Sequence, residues 1–250
     1  MRTGGAYAAL SWLFLLPGPA RAASVDAPAA CQASVTPESL LRHPTDPELY
    51  DYAACSELIS GRTDLCDAFP GGPASGEAAD LRHEVVRSDG KVHLDSLYGV
   101  CYSRAAAYRL LSLLVKGGAS DDALRAQMKL LLHDEDLPVD EILRTYVQVF
   151  KTGSLAGVTR PDLARIGFFN HLVGRAACAE VSLDGLRREC VRKAAALEAL
   201  RAKDASKCLA GDFLCEALLS GKEVCRKMGR RIVRRVCNPP ASKPKDRPSS

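Results

Sequence analysis

The residues best equipped for chemistry in this 250-residue chain are its ten cysteines, because a thiol can attack a carbonyl, ligate a metal or close a disulfide. They are Cys31, Cys55, Cys66, Cys101, Cys178, Cys190, Cys208, Cys215, Cys225 and Cys237. None are spaced as Cys-x-x-Cys, which removes the zinc-finger, thioredoxin and c-type haem patterns, so neither a metal nor another cofactor is expected. An even set without such a motif reads as five disulfides. Two stretches, Cys55-Ser-Glu-Leu-Ile-Ser-Gly-Arg-Thr-Asp-Leu-Cys66 and Cys215-Glu-Ala-Leu-Leu-Ser-Gly-Lys-Glu-Val-Cys225, share a helix, a glycine stop and a second helix. That repetition predicts bridges Cys55–Cys66 and Cys215–Cys225 across helix corners, with Cys178–Cys190 placed similarly. Cys225 and Cys237 on one helix would stand about 18 Å apart, too far to join. The remainder is Cys208–Cys237 and, by elimination, Cys31–Cys101.

One cysteine invites an enzymatic reading. Tyr98-Gly99-Val100-Cys101-Tyr102-Ser103-Arg104-Ala105 is similar to the Gly-x-Cys-x-x-x-Ala segment of transglutaminase-like cysteine enzymes, in which the nucleophile begins a helix. The resemblance implies a thiolate at Cys101, with a His and an Asp supplied by following strands. Here the chain after Cys101 has helical spacing and offers His133 and His171. His133-Asp134-Glu135-Asp136 reads as a solvated acidic turn. His83, His93 and Asp95 could approach one another across a hairpin, without the defined ligand set that a metal site needs. No nucleophile elbow, phosphate loop or dinucleotide fingerprint occurs.

Charge is distributed along the chain more informatively than its total of +4 suggests. Residues 23–100 carry a net −8, residues 101–177 a net +2 and residues 178–250 a net +8. Lys222, Arg226, Lys227, Arg230, Arg231, Arg234 and Arg235 recur at helical spacing, with Val224, Met228, Ile232, Val233 and Val236 between them. One helix there would bury an apolar side and show a cationic stripe that attracts anions. The competing fate of that stripe is to dock on the acidic N-terminal third of the same molecule.

The elements that must hold these residues read almost entirely as helix. Thr36-Pro37-Glu38 and Asp46-Pro47-Glu48 each set a cap before a first-turn proline, starting helices to about His43 and Ser60. Asp95-Ser96 caps a segment ending at Gly117-Gly118, Ser120 opens a helix to His133, and further helices fit 138–151, 161–178 and 183–203. A β-hairpin fits 83–94, where residues 77–87 also suit a helix. The expected fold class is all-α, a disulfide-stapled array of antiparallel helix hairpins. Arg2, the apolar run Ala6–Leu16 and Ala20-Arg21-Ala22 have the form of a cleaved signal peptide over residues 1–22. A small helical element is expected over 23–76, a helical body over 77–237 and a disordered tail over 238–250.

These features describe a secreted or periplasmic protein without a transmembrane helix in its mature chain. The expected role is non-enzymatic, binding or structural, through the basic C-terminal helix face. Its partner would be an anionic envelope component or an acidic protein surface, and not nucleic acid on compartment grounds. A Cys101 hydrolase or transferase, or a small-ligand carrier, is the alternative.

Overall fold

A computed structural model describes residues 27–42, 44, 46, 48–61, 64–70, 72, 82–86, 92–132 and 137–238. The leader and tail expected at the two ends lie outside the described residues, except for Asn238. The protein is an all-α, disulfide-stapled array. Its helices are α1 (Ala27–Ser34), α2 (Pro37–Leu40), α3 (Glu48–Ser60), α4 (Asp64–Asp67), α5 (Leu97–Lys116), α6 (Asp121–Leu131), α7 (Val139–Thr152), α8 (Pro161–Arg165), α9 (Asn170–Val173), α10 (Asp184–Ala202), α11 (Phe213–Ser220) and α12 (Glu223–Cys237). Strands β1 (Arg82–Val86) and β2 (Val92–Ser96) form an antiparallel pair in which His83 faces Asp95 and Val85 faces His93.

Local chemistry sets the helix starts. The Thr36 hydroxyl accepts from Ser39 N at 3.2 Å while Ser39 reaches back to Thr36 N, a reciprocal cap on α2. Asp46 Oδ1 accepts from Glu48 N at 2.9 Å and so opens α3. Ser120 does the same for α6 through Ala123 N. The single helix expected over 161–178 is instead three short pieces, α8, α9 and a 3₁₀ turn at Ala177–Glu180. Gly167 at φ 81° and Gly174 at φ 140° break it, and a Cβ on Gly167 would fall 2.8 Å from Val181 Cγ2.

α5 is the spine, packed against α3, α4, α6, α10 and α11. Its N-terminal half joins α3, α11 and α12 in one buried cluster that includes Leu49, Tyr52, Tyr108, Met228 and Ile232. Its C-terminal half joins α6, α7, α9 and α10 in a second, with Leu110, Met128, Ile142, Tyr146 and Leu197. Ala105–Ala107 of α5 and Ala194–Ala196 of α10 are almost fully covered, so small side chains allow these helices to come close.

Five bridges close: Cys31–Cys237, Cys55–Cys225, Cys66–Cys101, Cys178–Cys190 and Cys208–Cys215. Of the expected pairings, Cys178–Cys190 forms. Cys55–Cys66, Cys215–Cys225, Cys208–Cys237 and Cys31–Cys101 do not. Two of the bridges, Cys31–Cys237 and Cys55–Cys225, join helices far apart in the chain, and neither Cys55 nor Cys215 bonds across its glycine corner. Cys55 on α3 reaches Cys225 on α12, and Cys66 on α4 reaches Cys101 on α5. Cys225 and Cys237 do share α12, so the exclusion of that pair stands.

Chain-entropy reasoning orders these bridges: closing 170 residues between Cys55 and Cys225 restricts the unfolded chain by about 5 kcal/mol, and closing seven between Cys208 and Cys215 by about 2 kcal/mol. Replacing Cys55 and Cys225 together by Ala should lower the urea midpoint more than the Cys208/Cys215 double replacement. Peptide mapping of the unreduced protein should recover the five connections above, and a Cys55–Cys66 peptide would overturn the packing of α3 on α12.

Candidate functional site

α12 turns Cys225, Met228, Gly229, Ile232 and Val233 inward, which leaves its arginines and lysines outward. The structure divides these cations into two sets. Arg235 grips the buried Asp46 carboxylate with both arms, Nε to Oδ2 and Nη2 to Oδ1, each at 2.7 Å. Arg231 pairs with Glu48 and lays its guanidinium 4.6 Å from the Phe213 ring centroid. This half of the stripe is docked on the acidic N-terminal part, as the charge distribution allowed.

The second set faces away from that contact. Arg226, Arg230 and Arg234 follow one another at four-residue spacing, about 6 Å per step, along one wall of a groove of ≈ 400 Å³. Gln32, Val35, Thr36 and Pro37 form the opposite wall, with Tyr52, Gly229 and Val233 between. Gly229 makes this close approach possible: a Cβ there would lie 2.9 Å from both Pro37 Cγ and Tyr52 Cε2. The Tyr52 hydroxyl donates to Glu38 Oε1 at 2.6 Å. Arg226 and Arg230 share one carboxylate, Glu223, at 3.1 and 2.7 Å, and Arg230 in particular holds that carboxyl below its ordinary pKa. Among the described residues, Lys222, Lys227 and Arg234 meet no carboxylate. The groove can therefore receive anions along a row of guanidiniums above a partly apolar floor.

Cys101 is fully buried and bonded to Cys66, so it carries no thiolate. It also sits in the second turn of α5 rather than at its first residue. His133 lies outside the described residues, and with it the acidic turn to Asp136. His171 is buried against Tyr146, whose hydroxyl lies 2.7 Å from His171 Nε2. No group of three or more His, Cys, Asp or Glu able to hold a metal occurs among the described residues. β1 and β2 set His83 opposite Asp95, with His93 two pairs further along, opposite Val85.

An internal polar row along α5 went unread in the sequence. Arg104 pairs with Asp51 and lies 3.8 Å from Glu189. Arg109 meets the buried Glu57 carboxylate with both arms, at 3.1 and 3.2 Å, and donates to the Glu57 carbonyl at 2.6 Å. Tyr108 donates to Asp212 Oδ2 at 2.7 Å, while Asp212 Oδ1 accepts Cys215 N at 3.1 Å and so caps α11. The one legible sign was Asp212 standing at a helix start. This row is buried at Glu57, Tyr108 and Asp212 and partly covered elsewhere, and it sets α3, α5 and α11 against one another. No family model, curated protein or solved structure matches the chain.

Two of these buried groups give opposite pH dependences. Burial raises the Asp212 pKa to about 6, against weaker lowering by the Tyr108 and Cys215 hydrogen bonds, so its favourable contribution exists at low pH and disappears as pH rises through about 6. Burial, then Lys193, depress the His171 pKa to about 3 against a small opposing effect of the Gly167 carbonyl. Its contribution is present above pH ~6.5 and is lost as pH falls. Asp212→Asn keeps an acceptor for Cys215 N and removes the buried charge. It should stabilise the protein at pH 8 by about 1–3 kcal/mol and lose that gain by pH 4, as read from thermal midpoints. An equal gain at both pH values, or a loss at pH 8, would overturn the assignment.

Proposed function

We propose that this is an exported protein of the cell envelope or extracellular space that acts by binding, without a catalytic step, and that its contact surface is the α12 groove carrying Arg226, Arg230 and Arg234. Export rests on the signal-like residues 1–22 together with five disulfides, which persist in oxidising compartments. No described helix is long and apolar enough to cross a membrane. The observation that carries the binding role is the split of the cationic stripe. Arg231 and Arg235 are held on Glu48 and Asp46 at the start of α3, whereas Arg226 and Arg230 share the one carboxylate of Glu223 on their own helix and, with Arg234, line a groove whose lining contains no carboxylate. A row of guanidiniums at four-residue steps along a fixed helix axis matches the repeated acid groups of an envelope component or an acidic protein surface.

The two halves of the stripe separate binding from folding. Arg226→Gln, Arg230→Gln and Arg234→Gln together should lower the salt concentration that elutes the oxidised protein from heparin, with the thermal midpoint nearly unchanged. Arg235→Ala should instead destabilise by about 1–2 kcal/mol, because it leaves the Asp46 carboxylate buried and unpaired, and shift elution less. Unchanged elution of the triple variant would end the proposal. Retention on vesicles containing anionic lipid but not on an acidic peptide column assigns the partner to the envelope, and the reverse assigns it to a protein.

A further inference from the structure

The five bridges differ in how far the fold covers them. Cys55, Cys66, Cys178 and Cys215 are fully covered, so four of the bridges have at least one cysteine sealed in the core. In Cys31–Cys237 both cysteines are partly exposed. A thiolate opens a disulfide only where it can reach a sulfur, and exposed bridges are the labile ones.

That bridge is also the hold on α1. None of residues 28–34 is buried, and the helix packs on α12. Its sequence, mostly alanine, offers little apolar area to keep it docked, and eight residues are too few for a stable helix alone in water. With Cys55–Cys225 closed, the bridge adds only the 24 residues between Cys31 and Cys55 and the 12 between Cys225 and Cys237 to the constrained loop. Opening it therefore frees one short helix and leaves the rest stapled. Cys208–Cys215, whose Cys208 is partly exposed, behaves differently: its sulfurs are seven residues apart beside α11, which packs on α3, so the two thiols stay together and reclose.

The surroundings select the charge of the attacking thiol. Cys237 follows Arg234 by three residues and Arg230 by seven, so on α12 it continues the arginine row. Arg230 and Arg234 line the groove together with Gln32 and Val35, the neighbours of Cys31. α1 carries no charged side chain, and Arg234 has no carboxylate partner among the described residues. The carboxylates packed against this end are engaged: Asp46 and Glu48 by Arg235, and Glu38 by the Tyr52 hydroxyl. A cation next to the bridge attracts an anionic reagent and stabilises a thiolate released there, against the partial negative charge of the last α12 carbonyls.

We infer that Cys31–Cys237 is a thiol–disulfide exchange site for small anionic thiols, and that its opening releases α1 from α12. The reagent thiolate attacks Cys31 Sγ from the solvent side. A bond forms between the reagent sulfur and Cys31, the Cys31–Cys237 bond breaks, and its electron pair passes to Cys237 as a thiolate beside Arg234, which water then protonates. A second reagent thiolate attacks the reagent sulfur of the mixed disulfide and displaces Cys31. Two protein thiols are formed, and two reagent thiols are oxidised to one disulfide. Release of α1 removes Gln32 and Val35 from the groove wall, whatever the groove binds.

The oxidised full protein, treated briefly with mercaptoethanesulfonate, quenched with iodoacetamide and mapped by peptide, should carry label on Cys31 and Cys237 before any other pair. Compared per thiolate at low ionic strength, mercaptoethanesulfonate should open the bridge roughly five-fold faster than the cationic thiol cysteamine. Added salt should remove that difference, and so should Arg230→Gln combined with Arg234→Gln. Amide hydrogen exchange over residues 28–35 should accelerate once the bridge is open, with α3, α5 and α10 still protected. Earlier labelling of Cys208 and Cys215, equal rates for the two reagents at low salt, or unchanged exchange over 28–35 after opening would each overturn the inference.

Discussion

Much of this molecule depends on how α12 is tied down. Cys225 in its first turn is bonded to α3, and Cys237 at its last residue is bonded to α1, so the helix is fixed at two points about 18 Å apart. Between them the paired arginines 231 and 235 add a charged clamp on Glu48 and Asp46. Each bridge closes a loop of 170 residues or more, so most of its effect falls on the unfolded chain, which loses the freedom to separate its two ends. The folded consequence is orientational. A helix anchored at both ends cannot roll, and whichever side chains point outward do so permanently. A cationic stripe on a free amphipathic helix could turn toward the acidic third of the chain along its whole length. Here only Arg231 and Arg235 reach it.

The same logic of fixed orientation governs the interior. α5 carries Arg104, Tyr108 and Arg109 within six residues, and all three find partners on neighbouring helices rather than on their own. Burying Glu57 and Asp212 is costly unless their lone pairs are filled, and the alternatives to the observed register would leave them empty. Leucine and alanine packing alone tolerates small slips of one helix along another. The forked Arg109–Glu57 contact and the Tyr108–Asp212 bond do not, since a slip of one residue, about 1.5 Å, breaks the hydrogen bonds that cross between helices, while the Asp212 cap on Cys215 N travels with α11.

What could be read from the sequence follows from the range of the interactions concerned. Helix starts at Thr36, Asp46 and Ser120 were legible because a cap is a contact within three residues. The all-α class was legible for the same reason. The bridge pattern was not: the glycine corners at Gly61 and Gly221 are real, yet a corner says which helices are consecutive and nothing about which are stacked. Nearness along the chain did not decide it either: Cys178 and Cys190, 12 residues apart, do join, whereas Cys55 and Cys66 do not, and Cys215 takes Cys208 instead of Cys225. The division of the cationic stripe was half visible. Opposite charge at the two ends of the chain implied that some arginines would dock internally, but choosing Arg231 and Arg235 over Arg230 and Arg234 requires knowing which side of α12 faces α3.

That division bears on what the surface can offer to another molecule. Had the whole stripe been neutralised internally, the net charge of the last third of the chain would serve folding alone. Had none of it been, α12 would depend on its two bridges and its apolar side to stay in place against the repulsion of neighbouring arginines. The arrangement found uses the arginines nearest α3 as structural contacts, and these hold the helix so that Arg226, Arg230 and Arg234 stand at regular intervals over Val35, Pro37 and Val233. A second groove, between α5, α6 and α7, reverses the proportions, with a long apolar strip and charges of both signs along its rim. The two surfaces therefore suit different chemistry. A row of cations spaced over a short floor favours repeated acid groups, whereas an apolar strip between charges of both signs does not select for anions.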